Sequence, residues 1–343
     1  MPGAAKPFDV ALFDGIDAAI VDAGDALERS AQPRLYDRAD WLRLTARHVL
    51  PDAKPVIARA RTADGAAWLF LDDRGNSAEA FARWYTLAFR PVVTGAAGDD
   101  ARIALARALR GRFARLELKP MLAADADTTQ TAFRAAGWIA TRSETSGNWI
   151  ADTDGLDFTR YWQSRPGKLR STLARRRARA PLDLAICDRF EPEAWDAYEA
   201  VYAASWKPDE GAPAFLRALA EQEGAAGTLR LGIGRYEGRP VAAQLWLVEN
   251  GHATIHKLAY DTHARDISPG TQLSAAMFAH VLDRDRPTLI DYGTGDDAYK
   301  ADWMDRRRPL YRLELFDPKS PRGLAGAARA GVKALARRFR SNA

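Results

Sequence analysis

The sequence predicts an α/β (α+β) protein of two lobes, each a mixed and mostly antiparallel sheet flanked by helices. Three observations carry this. The chain has 343 residues, 47% of them hydrophobic and 28% charged, the size of two domains or one large α/β unit with a real core. Its C-terminal half alternates strand and helix signals in the order β-α-α-β-β-β-α-β-α-β. Its N-terminal half is a looser version of the same order, without an exact internal repeat.

Leu182 to Asp188 is a short apolar strand, and Glu193 to Ser205 and Pro213 to Glu223 are helical stretches. Three strands follow, Leu229 to Tyr236, Val241 to Val248 and Ala253 to Tyr260, joined by Glu237-Gly238 and Asn250-Gly251. Asn-Gly marks a hairpin because both turn residues must tolerate positive φ, so the three strands form an antiparallel meander. Thr271 to Asp283 puts Leu273, Ala276, Met277, His280 and Val281 on one helical face. Thr288 to Tyr292 reads as a strand, Asp297 to Asp305 as a short helix, and Leu310 to Phe316 as a final strand. In the N-terminal half, Pro55 to Ala60 and Ala66 to Leu71 form a hairpin across Asp64-Gly65. Helices near Phe81 and over Arg102 to Leu109, a strand at Leu116 to Lys119, a helix at Thr128 to Ala136 and two strands across Ser146-Gly147 complete it. The expected division is an N-terminal extension (1–34), an N-terminal lobe (35–153), a C-terminal lobe (154–317) and a tail (318–343).

The single cysteine, Cys187, cannot form an internal disulfide, and it excludes zinc-ribbon, iron–sulfur and thioredoxin-like sites, which need clustered thiolates. A reducing cytoplasm is the expected address. The first residues soon meet Asp9, Asp14, Asp17 and Asp22, so no signal-peptide core can be drawn. No apolar run approaches the roughly 18 to 20 residues of a membrane span.

The net charge of +5 is unevenly spread. Arg165, Lys168, Arg170, Arg175, Arg176, Arg177 and Arg179 form one acid-free segment, and Lys319, Arg322, Arg329, Lys333, Arg337, Arg338 and Arg340 another. Local basicity points to anionic partners. In the second segment Leu324, Ala328, Val332, Leu335 and Phe339 recur on one helical face, which makes it a basic amphipathic helix. Three readings stay open for it: docking of the apolar stripe on the body, contact with an anionic membrane surface at the inner face, and a nucleic-acid arm.

The most informative stretch runs from Lys257 to Asp261 and on through Arg265-Asp266-Ile267-Ser268-Pro269-Gly270-Thr271. A strand ends there and a helix begins, with Ser268 as N-cap and Pro269 at the first helical position, where its missing N–H costs nothing. Gly270 and Thr271 then offer unpaired N–H groups at a positive dipole end, an anion site suited to a pyrophosphate. A well-capped helix without a ligand is the alternative. No G-x-S-x-G elbow, Walker A loop, H-E-x-x-H or complete G-x-G-x-x-G occurs. His252 and His256 lie four apart on one strand with no third metal ligand at recognisable spacing, so no metal is expected.

The element order and the pattern Arg-x-x-Ser-x-Gly from Arg265 to Gly270 resemble the acyl-CoA pyrophosphate loop of the GNAT acetyltransferase superfamily, departing from it at Ser268, where a glycine is usual. Several segments together resemble its CelD/BcsL-like branch, associated with cell-surface polysaccharide genes. They are Arg165 to Arg177, Ser205-Trp206-Lys207, Lys257 to Asp261, Ser268-Pro269-Gly270, and Asp291 to Gly295 with Tyr299-Lys300 and Trp303. The likeness spans about residues 35 to 315 and extends to the tandem-lobed FemAB aminoacyl transferases.

The resemblance implies acyl-CoA as co-substrate, bound through Arg265, Ser268, Gly270 and Thr271, and a primary amine of an envelope or lipid acceptor, an amino sugar or a sphingoid-like base. Transfer to an amine needs a neutral nitrogen, a polarised thioester carbonyl and a proton for the thiolate. In that frame the meander's last strand lies beside the acyl group, His256 is the candidate base and Tyr299 the candidate acid. Trp206, Lys257, Asp261, Asp291 and Lys300 are the candidates for acceptor binding. The alternatives are a tRNA-dependent aminoacyl transferase and a non-catalytic scaffold of the same fold.

Overall fold

The computed structural model describes residues 8–96 and 98–341, with the backbone alone described for 333–341. From the N-terminus come β1 (Asp9–Phe13), α1 (Ile16–Ala23), α2 (Ala39–Leu44), β2 (Pro55–Thr62), β3 (Gly65–Asp73), β4 (Ser77–Ala80), β5 (Val92–Gly95), α3 (Gly98–Ala108), β6 (Arg115–Met121) and α4 (Ala123–Ala135). Next are β7 (Ile139–Asp152), α5 (Phe158–Ser164), α6 (Gly167–Arg179), β8 (Asp183–Cys187), α7 (Pro192–Ala203) and α8 (Pro213–Ala225). The meander β9 (Leu229–Tyr236), β10 (Arg239–Glu249) and β11 (His252–Tyr260) leads to α9 (Pro269–His280), β12 (Leu289–Thr294), β13 (Arg306–Phe316) and α10 (Pro321–Ser341). Two compact units result, residues 1–146 with 309–343, and residues 147–308.

In the first unit the strand order is β1-β2-β3-β4-β6-β13, with β5 on β3. Alternation sorts its side chains onto two faces. Val56, Ala58 and Ala60 of β2 with Ala67, Leu69 and Leu71 of β3 pack on α3 and α4. Ile57, Trp68 and Phe70 pack on α1 and α2. The expected extension over residues 1–34 is thus structural from residue 9 onward: β1 pairs with β2, and Ile16, Ala19 and Ile20 enter the core. Two further expectations differ. The segment before Phe81 is strand β4, and the two strands expected across Ser146-Gly147 are the single strand β7. The compact units divide after residues 146 and 308 rather than 153 and 317, because residues 311–316 of β13 pair antiparallel with β6.

In the second unit the order is β7-β12-β11-β10-β9-β8, antiparallel except for β11 and β12. The expected positive φ is present at Asn250 (50°) and Gly251 (75°), which is what lets two residues close the β10–β11 hairpin. Ala242 and Trp246 join α5, α6 and α9 in a core where Phe278 stacks on Tyr161 and Trp303, with ring centroids 4.9 and 5.0 Å away. Ala243, Leu245 and Leu247 are left to the other face, where α7 and α8 pack. In both units a meander, a helix and one parallel strand pair follow in that order, β4 with β6 and β11 with β12.

Candidate active site

Strand β11 pairs with β12 only over His252–Thr254 against Leu289–Asp291, while it stays on β10 to Tyr260. Past Thr254 the parallel neighbours part. At that point β11 carries one extra residue, because Trp246 faces Ile255 and Leu245 faces Lys257, which leaves His256 outside the register. A bulge of this kind turns the strand and takes one residue out of the ladder. Where two strands diverge, the facing backbone groups are available to an extended ligand, and an N–H aimed at a carbonyl oxygen is an oxyanion-type donor.

From the end of β11 the chain turns through residues 262–267 into α9. Asp261 shapes this turn, since its carboxylate accepts from the His263 N–H at 2.9 Å and lies 3.1 Å from the His263 Nδ1. It therefore holds the loop. Thr262 donates from both N–H and Oγ1 to the Ala204 carbonyl, 3.2 and 3.1 Å away, tying the loop to the end of α7.

Ser268 does not cap by its hydroxyl; it sits in the left-handed region at φ 52° and ψ 53° with no side-chain cap bond. That is the backbone a glycine adopts most readily, and glycine is the residue usual at this position of the loop that the sequence resembles. Gly270 packs under Tyr260, whose Cδ1 would lie 3.2 Å from an added Cβ. The first turn of α9 holds no acid, and Arg265 is exposed beside it. The matching helix of the first unit, α3, opens with Asp99 and Asp100, which repel anions at that dipole end. Of these two helices, α9 alone begins without an acid.

Next to this loop, Trp206 lies on Tyr260 with centroids 4.5 Å apart. A cavity of about 380 Å³ opens between α7 and α8, its lining including Trp195, Tyr198, Tyr202, Lys207, Glu210 and Leu216. Glu210 accepts from Lys257 Nζ at 2.8 and 3.1 Å, an ion pair with both side chains largely buried. Lys207 shares the Tyr202 ring with Lys257, their ammonium nitrogens 6.0 and 5.7 Å from its centroid. Burial, and then the Lys257 charge, push Lys207 down to about 8.

The other expected site residues divide sharply. His256 is 9% exposed, and burial followed by the neighbouring Lys257 charge pushes its imidazole down to about 3. Such a ring is neutral at pH 7 and too weak a base to hold an amine's proton. Tyr299 is 41% exposed, edge-on to buried Tyr292 at 5.8 Å, with its phenol raised to about 12, chiefly by burial. Asp291 is not paired with Lys300. It accepts from Asn148 Nδ2 at 2.6 Å, the Gly293 N–H at 2.7 Å and Arg308 Nη2 at 2.9 Å. Lys300 is buried, its Nζ donating to the carbonyls of Thr294, Tyr292 and Gly295 at 2.7, 3.3 and 3.4 Å. Both hold the loop after β12.

Arg165, taken from the sequence as part of the basic cluster, is buried; it donates to the Trp303 carbonyl and pairs with Asp305. The Cys187 thiol, raised to about 11 by burial and Glu191, is no nucleophile at neutral pH. Sequence reasoning missed Glu210 and Tyr292. Glu210 stands in a loop 47 positions from Lys257, and no local spacing announces such a pair. Tyr292 had a signal, its place at the end of a strand before a glycine-rich turn.

Residues 163–301 match the family described as an acetyltransferase (GNAT) domain. No curated protein matches the chain in sequence. Among solved structures, FemX aligns with a TM-score of 0.58 at 10% identity, over 83% of this chain and 92% of its own. A conserved protein of unknown function from Bacteroides thetaiotaomicron gives 0.55 at 13%, over 90% and 100%. The C-terminal domain of a putative lysylphosphatidylglycerol synthetase from Agrobacterium fabrum gives 0.53 at 16%, over 76% and 83%. At these identities the likeness is one of fold. The parted strands, the loop and the helix start all lie inside the segment that matches the acetyltransferase (GNAT) domain model, and that match together with the shared fold supports a transferase.

Proposed function

We propose that the protein transfers an acyl group from acyl-coenzyme A to a primary amine on an envelope-related or lipid acceptor, in the manner of the CelD/BcsL-like proteins its motifs resemble. The observation that carries this is the parting of β11 from β12 directly before an acid-free helix start. The pyrophosphate sits on the Gly270 and Thr271 N–H groups with Arg265 at its side, and the acyl arm runs between the strands to the bulge at His256. The amine nitrogen attacks the thioester carbonyl, the C–S bond breaks, the nitrogen loses one proton and the thiolate gains one. His256 contributes through its bulged backbone rather than its ring. Lys207, about a tenth neutral at pH 7 with its value near 8, takes the amine proton. Tyr299, protonated at neutral pH, gives a proton to the departing thiolate. The aromatic cavity between α7 and α8 suits an acceptor whose amine is carried on an apolar body.

The C-terminal helix supports work at an anionic membrane surface. Its body-facing positions are small: a Cβ on Gly323 would lie 2.1 Å from the Asp317 carbonyl oxygen, and one on Gly326 2.8 Å from the Phe316 ring. Leu324 (50%) and Val332 (70%) are exposed, so over the described residues the apolar stripe is not what docks on the body. The side chains of Lys333, Leu335, Arg337, Arg338, Phe339 and Arg340, and residues 342–343, lie outside the described residues. No helix among the described residues is long and apolar enough to cross a membrane.

A second reading, aminoacyl transfer from tRNA, draws on the exposed cations of α6. Thermal stabilisation by coenzyme A, acetyl-CoA, long-chain acyl-CoA and bulk tRNA separates the two, since ligand at 100 times its Kd adds about 2.7 kcal/mol of stability. Stabilisation by acyl-CoA that Arg265→Ala or Gly270→Val abolishes, in variants of unchanged intrinsic stability, is the expected result. Stabilisation by tRNA alone would overturn the donor assignment.

A further inference from the structure

Helix α6 precedes the strands and helices that build the site, and nothing in the reaction above uses it. Its packing stripe is Leu169, Leu173 and Ala180, with half-buried Thr172 and Arg176 on the same side. Lys168, Arg170, Arg175, Arg177 and Arg179 are exposed. Among the described residues neither these five cations nor Arg176 is paired with a carboxylate, although the rest of the molecule is dense in such pairs. An uncompensated run of like charge repels itself, and a bound anion would offset that cost.

The far end of this helix is fixed against the loop. Gln272 Nε2 donates to the carbonyls of Ala180 and Ile267, each 3.0 Å away. Two oxygens on one nitrogen at those distances lie within about 6 Å of each other. The residue that ends α6 therefore abuts the Arg265–Gly270 loop, which brings the last helical turn, with Arg176 and Arg179, beside the loop that seats the pyrophosphate in the reading above. Coenzyme A carries one further dianionic group near its pyrophosphate, the phosphomonoester on its ribose.

We propose that the last turn of α6, through Arg176 and Arg179, is the subsite for the 3′-phosphate of the acyl-CoA donor. The inference rests on the acyl-CoA reading and adds a determinant that separates coenzyme A from its dephosphorylated form. Arginine suits the task, because its planar fork meets a phosphate with two parallel N–H bonds. The opposite end of the helix, with Lys168 and Arg170, contributes only a distant and screened charge.

Calorimetric titration of the full chain with coenzyme A and with 3′-dephospho-coenzyme A, at low and at physiological salt, tests this. The wild type is expected to bind coenzyme A at least about tenfold more tightly, a charge-assisted contact's worth of affinity. The Arg176→Gln/Arg179→Gln variant is expected to lose that preference while keeping its affinity for dephospho-coenzyme A within about twofold. Lys168→Gln/Arg170→Gln is expected to keep the preference. Equal wild-type affinities for the two ligands would overturn the subsite and leave the donor reading standing. Binding of neither ligand would overturn both. A double variant that keeps the preference but loses binding of bulk tRNA would assign α6 to nucleic acid instead.

Discussion

His256 makes a prediction about acid stability that can be worked out before any substrate is known. Burial holds its imidazole at about 3 in the folded protein, against about 6.5 in an unfolded chain. The folded state thus resists a proton that the unfolded state takes up. The stabilisation is fully present above pH 6.5 and is lost as pH falls toward 3. Between pH 7 and pH 5 this one group lowers the unfolding free energy by about 2 kcal/mol, at 1.36 kcal/mol per pKa unit. Urea unfolding of the wild type, His256→Gln and His256→Phe at both pH values reads it directly. The substitutions will shift absolute stability through packing, so the quantity of interest is each protein's own change between the two pH values. The wild-type loss should exceed that of either variant by about 2 kcal/mol. Equal losses within about 0.5 kcal/mol, or an imidazole resonance titrating near 6.5, would refute the burial argument and return His256 to candidacy as a base.

Lys207, with its value near 8, should react with an amine-directed reagent at half its maximal rate near pH 8, whereas an ordinary exposed lysine does so only above about pH 10; peptide mass spectrometry after pulse labelling reads the difference. Replacement of Lys300 by Met removes three hydrogen bonds from a buried ammonium and strands three carbonyls, so it should cost about 2–4 kcal/mol and lower Tm by about 6 to 12 °C in calorimetry. Tyr299→Phe should reduce turnover of an accepted amine about a hundredfold with little change in acyl-CoA affinity, and equal loss of both would mark it as a binding residue. Val332→Glu should abolish flotation with phosphatidylglycerol-containing vesicles while leaving thermal stability unchanged, because Val332 is 70% exposed.

Much of this was legible because the signals are local. Strand β9 was expected with its observed ends, and the β10–β11 hairpin follows from two residues that tolerate positive φ. The helix start at Pro269 is a property of the dipeptide Ser268-Pro269, even though Ser268 reaches it through the left-handed region and not through its hydroxyl. The short β1 was missed because its five residues, DVALF, carry no clear polar–apolar alternation. Strand β7 was split in two because glycine at 147 reads as a turn, whereas here it makes room: a Cβ there would lie 1.9 Å from Asp296 Oδ1 and 2.6 Å from Arg307 Nε.

The order of elements, the meander, the acid-free helix start and the two basic segments belong to the sequence by itself, since each depends on neighbours within a few residues. Burial and long-range pairing belong to the tertiary structure. The chemistry of an ionisable side chain depends on its solvent and its partners, and folding chooses both. Only the fold buries His256 until its ring loses basicity, gives Asp291 to Arg308 and Lys300 to three carbonyls, and pairs Lys257 with Glu210. It also sends β13 back to the first unit, and it turns the small residues of α10 toward the body and its apolar ones outward.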